Sequence, residues 1–145
     1  MTPSPTDTIL PADLPRALER VGGAFEVLSL DCFDTLLWRD CHAPGDVFAA
    51  LGALNPGQRV AAEANARKFA RTLRRRGEVS FAEIYDQAMP NASLEEVTEA
   101  IGEELEAEAR TCFAFAPTVE LMRAAKARGM RIAITSDTYL TAEQL

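Results

Sequence analysis

The stretch Val27–Arg39, VLSLDCFDTLLWR, decides how the chain is read. An apolar run leads straight into Asp31, and a second carboxylate, Asp34, follows three places later. Together with the residues before it, AFEVLSL is apolar on both faces apart from Glu26 and Ser29, as expected of a buried parallel strand. A second run, MRIAITSD (Met130–Asp137), has the same design and ends in Ser136 and Asp137. Two such strands suit a parallel pair joined by a right-handed crossover. Ligands of such sheets sit beyond the carboxyl ends of the strands. The polar tips (Asp31, Asp34 and Thr35 on one strand, Ser136 and Asp137 on the other) are therefore expected to be neighbours.

Working outward, the residues between the strands carry helical patterns. PGDVFAALGAL suggests a short helix, and GQRVAAEANARKFARTLRRRG a longer one ended by Gly77. In the longer one Ala62, Ala66, Phe69 and Leu73 recur on a single face. Ser80 with Glu83, and Ser93 with Glu96, make capping-box spacings before two further helices. In the second of these, Val97, Ile101 and Leu105 line one face. No strand is expected between Cys41 and Phe115. APTVELMRAAKARG reads as a helix opened by Pro117 and closed by Gly129, and LTAEQL as the start of another, capped by Thr141. At the other end, MTPSPTDTILP reads as a disordered tail, and ADLPRALERVGG as a short helix with Leu14, Leu18 and Val21 on one face, stopped by Gly22 and Gly23.

Composition narrows the function classes. A chain of 145 residues, 48% hydrophobic and 26% charged, is long enough for a real core and is not disordered. A net charge of −7 argues against a general nucleic-acid binder. The three cysteines form no C-x-x-C pair, and reduced thiols in a cytoplasmic protein are the expected state. His42 beside Cys41 has no second pair to complete a zinc site. No apolar run reaches the ~20 residues of a membrane helix, and the first residues lack the pattern of a secretory signal. Arg67, Lys68, Arg71, Arg74, Arg75 and Arg76 face a later acidic run that begins at Glu95 and ends at Glu108. Each run repels itself within its own helix, so the two are expected to lie side by side.

The strand tips suit phosphorus chemistry. A carboxylate held there can attack phosphorus and form an aspartyl phosphate. It can also hold Mg²⁺, a hard cation that prefers oxygen. A hydroxyl on the neighbouring tip can donate to a phosphate oxygen. Thr35 suits either a turn-stabilising hydroxyl or a ligand contact, and Arg39 either a substrate contact or a solvated surface.

LSLDCFDTLL followed by RIAITSD resembles the first two motifs of the haloacid dehalogenase superfamily, with the helical stretch where many members insert a cap. DCFDTLL and SDTYL look like a subgroup of predicted hydrolases within it, some joined to glycosyltransferases. The resemblance runs from Phe25 to the end of the chain. It implies an α/β fold: a partial Rossmannoid core in residues 25–40 and 116–145, with an α-helical cap in 41–115 and a tail and short helix in 1–24. It implies phosphoryl transfer from a small phosphorylated metabolite, with Asp31 as nucleophile, Ser136 as the phosphate donor, Thr35 and Arg39 near substrate, and Mg²⁺ held by Asp31 and the backbone carbonyl of Phe33. Two departures matter. Phe33 stands where the family's phosphatases carry the aspartate that moves the proton, although dehalogenase members carry an aromatic there. The chain runs nine residues past Ser136, to Leu145, so the family's later lysine and acidic pair have no place in it. The expectation is a partial chain, inactive alone, whose partners are a missing C-terminal half, a fused glycosyltransferase included, or a second copy. The alternatives are a degenerate, non-catalytic module acting through its charged helices, and a carbon–halogen hydrolase.

Overall fold

The structure, a computed structural model, describes residues 9–20 and 25–145. Most of the tail expected at the start, Val21 of the expected helix face and the expected stop at Gly22 and Gly23 lie outside them. The chain mixes helix and strand and divides into two compact units. The first comprises the described residues up to Trp38 together with Phe113–Ser136, and the second Arg39–Cys112 together with Asp137–Leu145.

In the first unit, β1 (Val27–Asp31) and β4 (Arg131–Thr135) pair in parallel, with Val27 opposite Arg131 and Asp31 opposite Thr135. The parallel pair expected from the two runs is present. Burial on both faces is not: along β1, exposed and half-buried residues alternate. That alternation marks a strand covered on one face only. The helix α5 (Ala116–Ala127) packs against β4 and against a 3-10 turn, Pro11–Arg16, which runs into a short α1 (Ala17–Arg20). Leu121 and Ala125 of α5 are buried, as are Ala17 and Cys32. Gly129 closes α5 with φ of 79°. Its N–H donates to Lys126 and the next N–H, of Met130, to Ala125, the double closure that a left-handed residue after a helix makes.

Where the chain passes from one unit to the other, β2 (Leu37–Arg39) pairs with β3 (Cys112–Ala114). The flanking bonds, Phe115 N–H to Leu36 and Asp40 N–H to Thr111, run in opposite sequence order, so the strands are antiparallel. This corrects the expectation of no strand before Phe115. Three residues are too few to show a period. Trp38 stacks on Phe115, centroids 4.2 Å apart.

The second unit is helical: a 3-10 segment Pro44–Ala50, then α2 (Pro56–Phe69), α3 (Phe81–Ala88) and α4 (Leu94–Thr111). Asn55, Ser80 and Ser93 each accept from the N–H three residues on, and Gln58, Glu83 and Glu96 close the boxes in return. The end of α2 differs from expectation. Ala70–Arg74 is a π-helical turn, and Arg75, at φ 52°, stops it in the left-handed region before Gly77 is reached. The buried stripe of α2 falls on Arg59, Ala62 and Ala66 and continues to Ala70, and it leaves Phe69 and Leu73 exposed. On α4, Ala100, Glu104, Ala107 and Glu108 are buried, and Val97, Ile101 and Leu105 flank them half-buried. LTAEQL forms a turn rather than a helix, with Gln144 and Leu145 donating to the Thr141 carbonyl.

The two charge runs find other partners than each other. Arg67 pairs with Glu63 and Glu78, and Arg74 and Arg76 share Glu83. Glu103 accepts from the N–H groups of Gly52 and Ala53. Carboxylates close in sequence, Glu63 on α2, Glu78 in the connection and Glu83 on α3, reach the arginines at lower entropic cost than a second long helix would.

Candidate active site

Asp31 ends β1 with its side chain exposed. The backbone then folds on itself: the Cys32 carbonyl accepts from both Leu36 and Leu37, and the Asp34 N–H donates back to Leu37 at 2.8 Å. This closure needs one left-handed residue, and Asp34 supplies it at φ 57°. Aspartate tolerates that region better than most residues with a side chain. Asp34 thus has a backbone role in shaping the turn. Phe33 is half-buried within the turn and forms an isolated bridge with Leu37.

The Thr35 hydroxyl donates to Asp31 Oδ2 at 3.3 Å. Its carbonyl accepts from the hydroxyl of Thr118, buried near the start of α5, at 2.9 Å. Thr118 is a residue the sequence did not single out: Thr at the third position of a helix carries no signal of a partner 83 residues away. On the adjacent strand, Thr135 pairs with Asp31 and its hydroxyl donates to the Leu30 carbonyl at 3.4 Å. Ser136 follows, exposed, as the last residue of the first unit. The fold therefore brings Asp31, Thr35 and the Thr135–Ser136 segment to one end of the parallel pair.

Arg39 belongs to the second unit, where its Nε donates to Glu108 Oε2 at 3.1 Å and both side chains are nearly covered. The Cys112 thiol donates to the same carboxylate oxygen at 3.7 Å. No disulfide joins the three cysteines.

Among the described residues, no three or more His, Cys, Asp or Glu side chains gather as a metal site. The donors at the strand tip are oxygens, the Asp31 carboxylate and backbone carbonyls, which is the type of donor a hard cation takes. An ion there would complete its shell with water and substrate oxygens. No helix among the described residues is long and apolar enough to cross a membrane.

The second unit holds the strongest electrostatic arrangement. Arg59 and Glu104, both without exposed side-chain surface, form a two-point ion pair at 2.7 and 2.8 Å. Arg59 also donates to Glu63 and lies over the rings of Phe48 and Tyr139, at 4.6 and 5.0 Å. Tyr85 donates to Glu104 at 2.8 Å, and Tyr139 at 3.4 Å. Burial, then the neighbouring Glu104 carboxylate, push both phenols well above their ordinary value, and Arg59 only partly opposes this. Every buried side-chain nitrogen and oxygen among the described residues has a partner.

No protein-family model matches the chain, and no curated protein matches it significantly.

Proposed function

We propose that this chain carries the nucleophile-bearing part of a haloacid-dehalogenase-like hydrolase that transfers a phosphoryl group from a small phosphorylated metabolite through Asp31. The supporting observation is the register of the parallel pair, which sets Asp31 opposite Thr135, one residue from Ser136. The first unit is the partial Rossmannoid core on this reading, and the helices of the second are the inserted cap.

An Asp31 oxygen attacks phosphorus, and the bond from phosphorus to the leaving oxygen breaks. Water then displaces the carboxylate and releases phosphate. Thr35, by donating to Asp31 Oδ2, holds the carboxylate and leaves the other oxygen for attack. Ser136 donates to a phosphate oxygen. Asp31 and the Phe33 carbonyl would hold Mg²⁺, which would supply charge neutralisation of the phosphate. Phe33 offers no proton, so the leaving group departs unaided or with a proton from water.

Phosphate release from p-nitrophenyl phosphate, measured with the full-length gene product and Mg²⁺, tests this reading. Asp31→Asn is expected to abolish release, and turnover that survives it would overturn the assignment. Without a proton donor, alkyl phosphates should be cleaved about 10²–10⁴ times more slowly than the nitrophenyl ester, and Phe33→Asp should narrow that gap.

A further inference from the structure

Both charge runs keep a surplus that the helical unit does not neutralise. In residues 67–76, Arg67 is paired with Glu63 and Glu78, and Arg74 and Arg76 share Glu83. Lys68, Arg71 and Arg75 are exposed and make no ion pair among the described residues. Phe69 and Leu73 lie among them with 47% and 65% of their surface open to solvent. Single exposed apolar residues need no explanation, but an aromatic and a leucine set among unpaired arginines have the composition of an interface. In the same unit, α4 walls a groove of about 590 Å³ that carries Glu96, Glu99, Glu103 and Glu106, with Met89 and Gly102 in its lining. Glu96 accepts from the Ser93 N–H, and Glu103 from those of Gly52 and Ala53. Glu106 reaches Arg110 only at 3.5 Å, and Glu99 makes no ion pair among the described residues.

We propose that a second copy of this chain docks on these two surfaces: the basic segment 68–75 of one copy seats in the acidic groove of the other, with Phe69 and Leu73 toward Met89 and the cations against Glu99 and Glu106. Charge selects the occupant. A chain of net charge −7 repels its own copies at a distance, so association needs a local match of opposite sign, and each copy carries both halves of one. A lone exposed ion pair contributes little, but here several charges and two apolar side chains act in one place. The two surfaces differ, so the contact is head to tail, and it closes into a ring or extends.

The test follows self-association of the full-length gene product by analytical ultracentrifugation. The parent should associate with a Kd of about 1–100 µM at about 0.05 M salt, and at least about tenfold more weakly at about 0.5 M, because salt screens exposed charges. Two charge-reversed variants decide the partner. Lys68→Glu with Arg71→Glu spoils the basic segment, and Glu99→Lys with Glu106→Lys spoils the groove. Each variant alone should sediment as a monomer, whereas an equimolar mixture should associate, because the groove of the first still meets the basic segment of the second. Leu73→Ser should weaken association at least about tenfold. All five positions are exposed, so helical circular dichroism and the thermal midpoint should match the parent. If either charge reversal disturbed the fold, the salt dependence and Leu73→Ser decide by themselves. A parent that is monomeric at about 100 µM in low salt, charge-reversed variants that associate as the parent does, or a mixture that stays monomeric would overturn the proposal. So would a monomeric parent that binds vesicles of anionic phospholipid and loses them in Lys68→Glu with Arg71→Glu, which would give the basic segment to a membrane surface instead.

Discussion

Arg59 and Glu104, 45 residues apart, face each other through two parallel N–H···O bonds inside the helical unit, with neither side chain exposed. A buried pair of this kind is a poor source of net stability, because both ions lose their water. Removing one partner strands the other. Glu104→Gln or Arg59→Met should therefore cost about 3–5 kcal/mol in urea unfolding, whereas Arg59→Met with Glu104→Leu should cost distinctly less than either loss alone. A single variant within about 1 kcal/mol of the parent would show that the pair is not buried as described.

Tyr85 and Tyr139 are the chain's two tyrosines, and both phenols hold their protons above the ordinary value of 10.0 because burial and Glu104 disfavour the phenolate. A folded-state value raised above the unfolded one gives stability that is complete below about pH 10 and is lost as pH rises beyond it. Tyrosinate absorbance should thus stay absent through pH 11 in the native protein and appear together with loss of helical circular dichroism. Half-titration near pH 10 with the helices intact would refute the placement of these rings.

Asp34 serves the turn through its backbone, at φ 57°. Asp34→Asn or Asp34→Gly should be nearly neutral for stability, and a β-branched Asp34→Val should cost roughly 1–3 kcal/mol. Asp34→Asn should also keep turnover within a few-fold. A loss of about 10²–10⁴ would instead make Asp34 the proton carrier that Phe33 is not.

The parallel pair was legible because a run of apolar residues ending in a carboxylate or hydroxyl is a local signal, and it occurs twice. The three helix starts at Asn55, Ser80 and Ser93 obey local rules of capping, two of which the spacing of Ser and Glu had marked. What the sequence hid depends on distant partners. Glu104 and Glu108 sit in an acidic run expected to lie beside the basic one, yet their buried partners are Arg59, with Tyr85 and Tyr139, and Arg39, with Cys112. The exposure of Phe69 and Leu73 was hidden because Ala62 and Ala66 fit a stripe with either Phe69 and Leu73 or Arg59 and Ala70, and the burial of Arg59 depends on Glu104, 45 residues away. At the strand tip the residue types were visible, but the Thr118 bond that ties α5 to the turn was not.

On the proposed reading Asp31, opposite Thr135 at the end of the parallel pair, takes the phosphoryl group. This step is tested most directly by trapping the intermediate. The full-length gene product is mixed with p-nitrophenyl phosphate and Mg²⁺, quenched in acid and reduced with borohydride, which converts an aspartyl phosphate to homoserine. Peptide mass spectrometry should then find homoserine at position 31 and nowhere else. Phosphate release with Asp31 unmodified, or label at another carboxylate, would contradict the account.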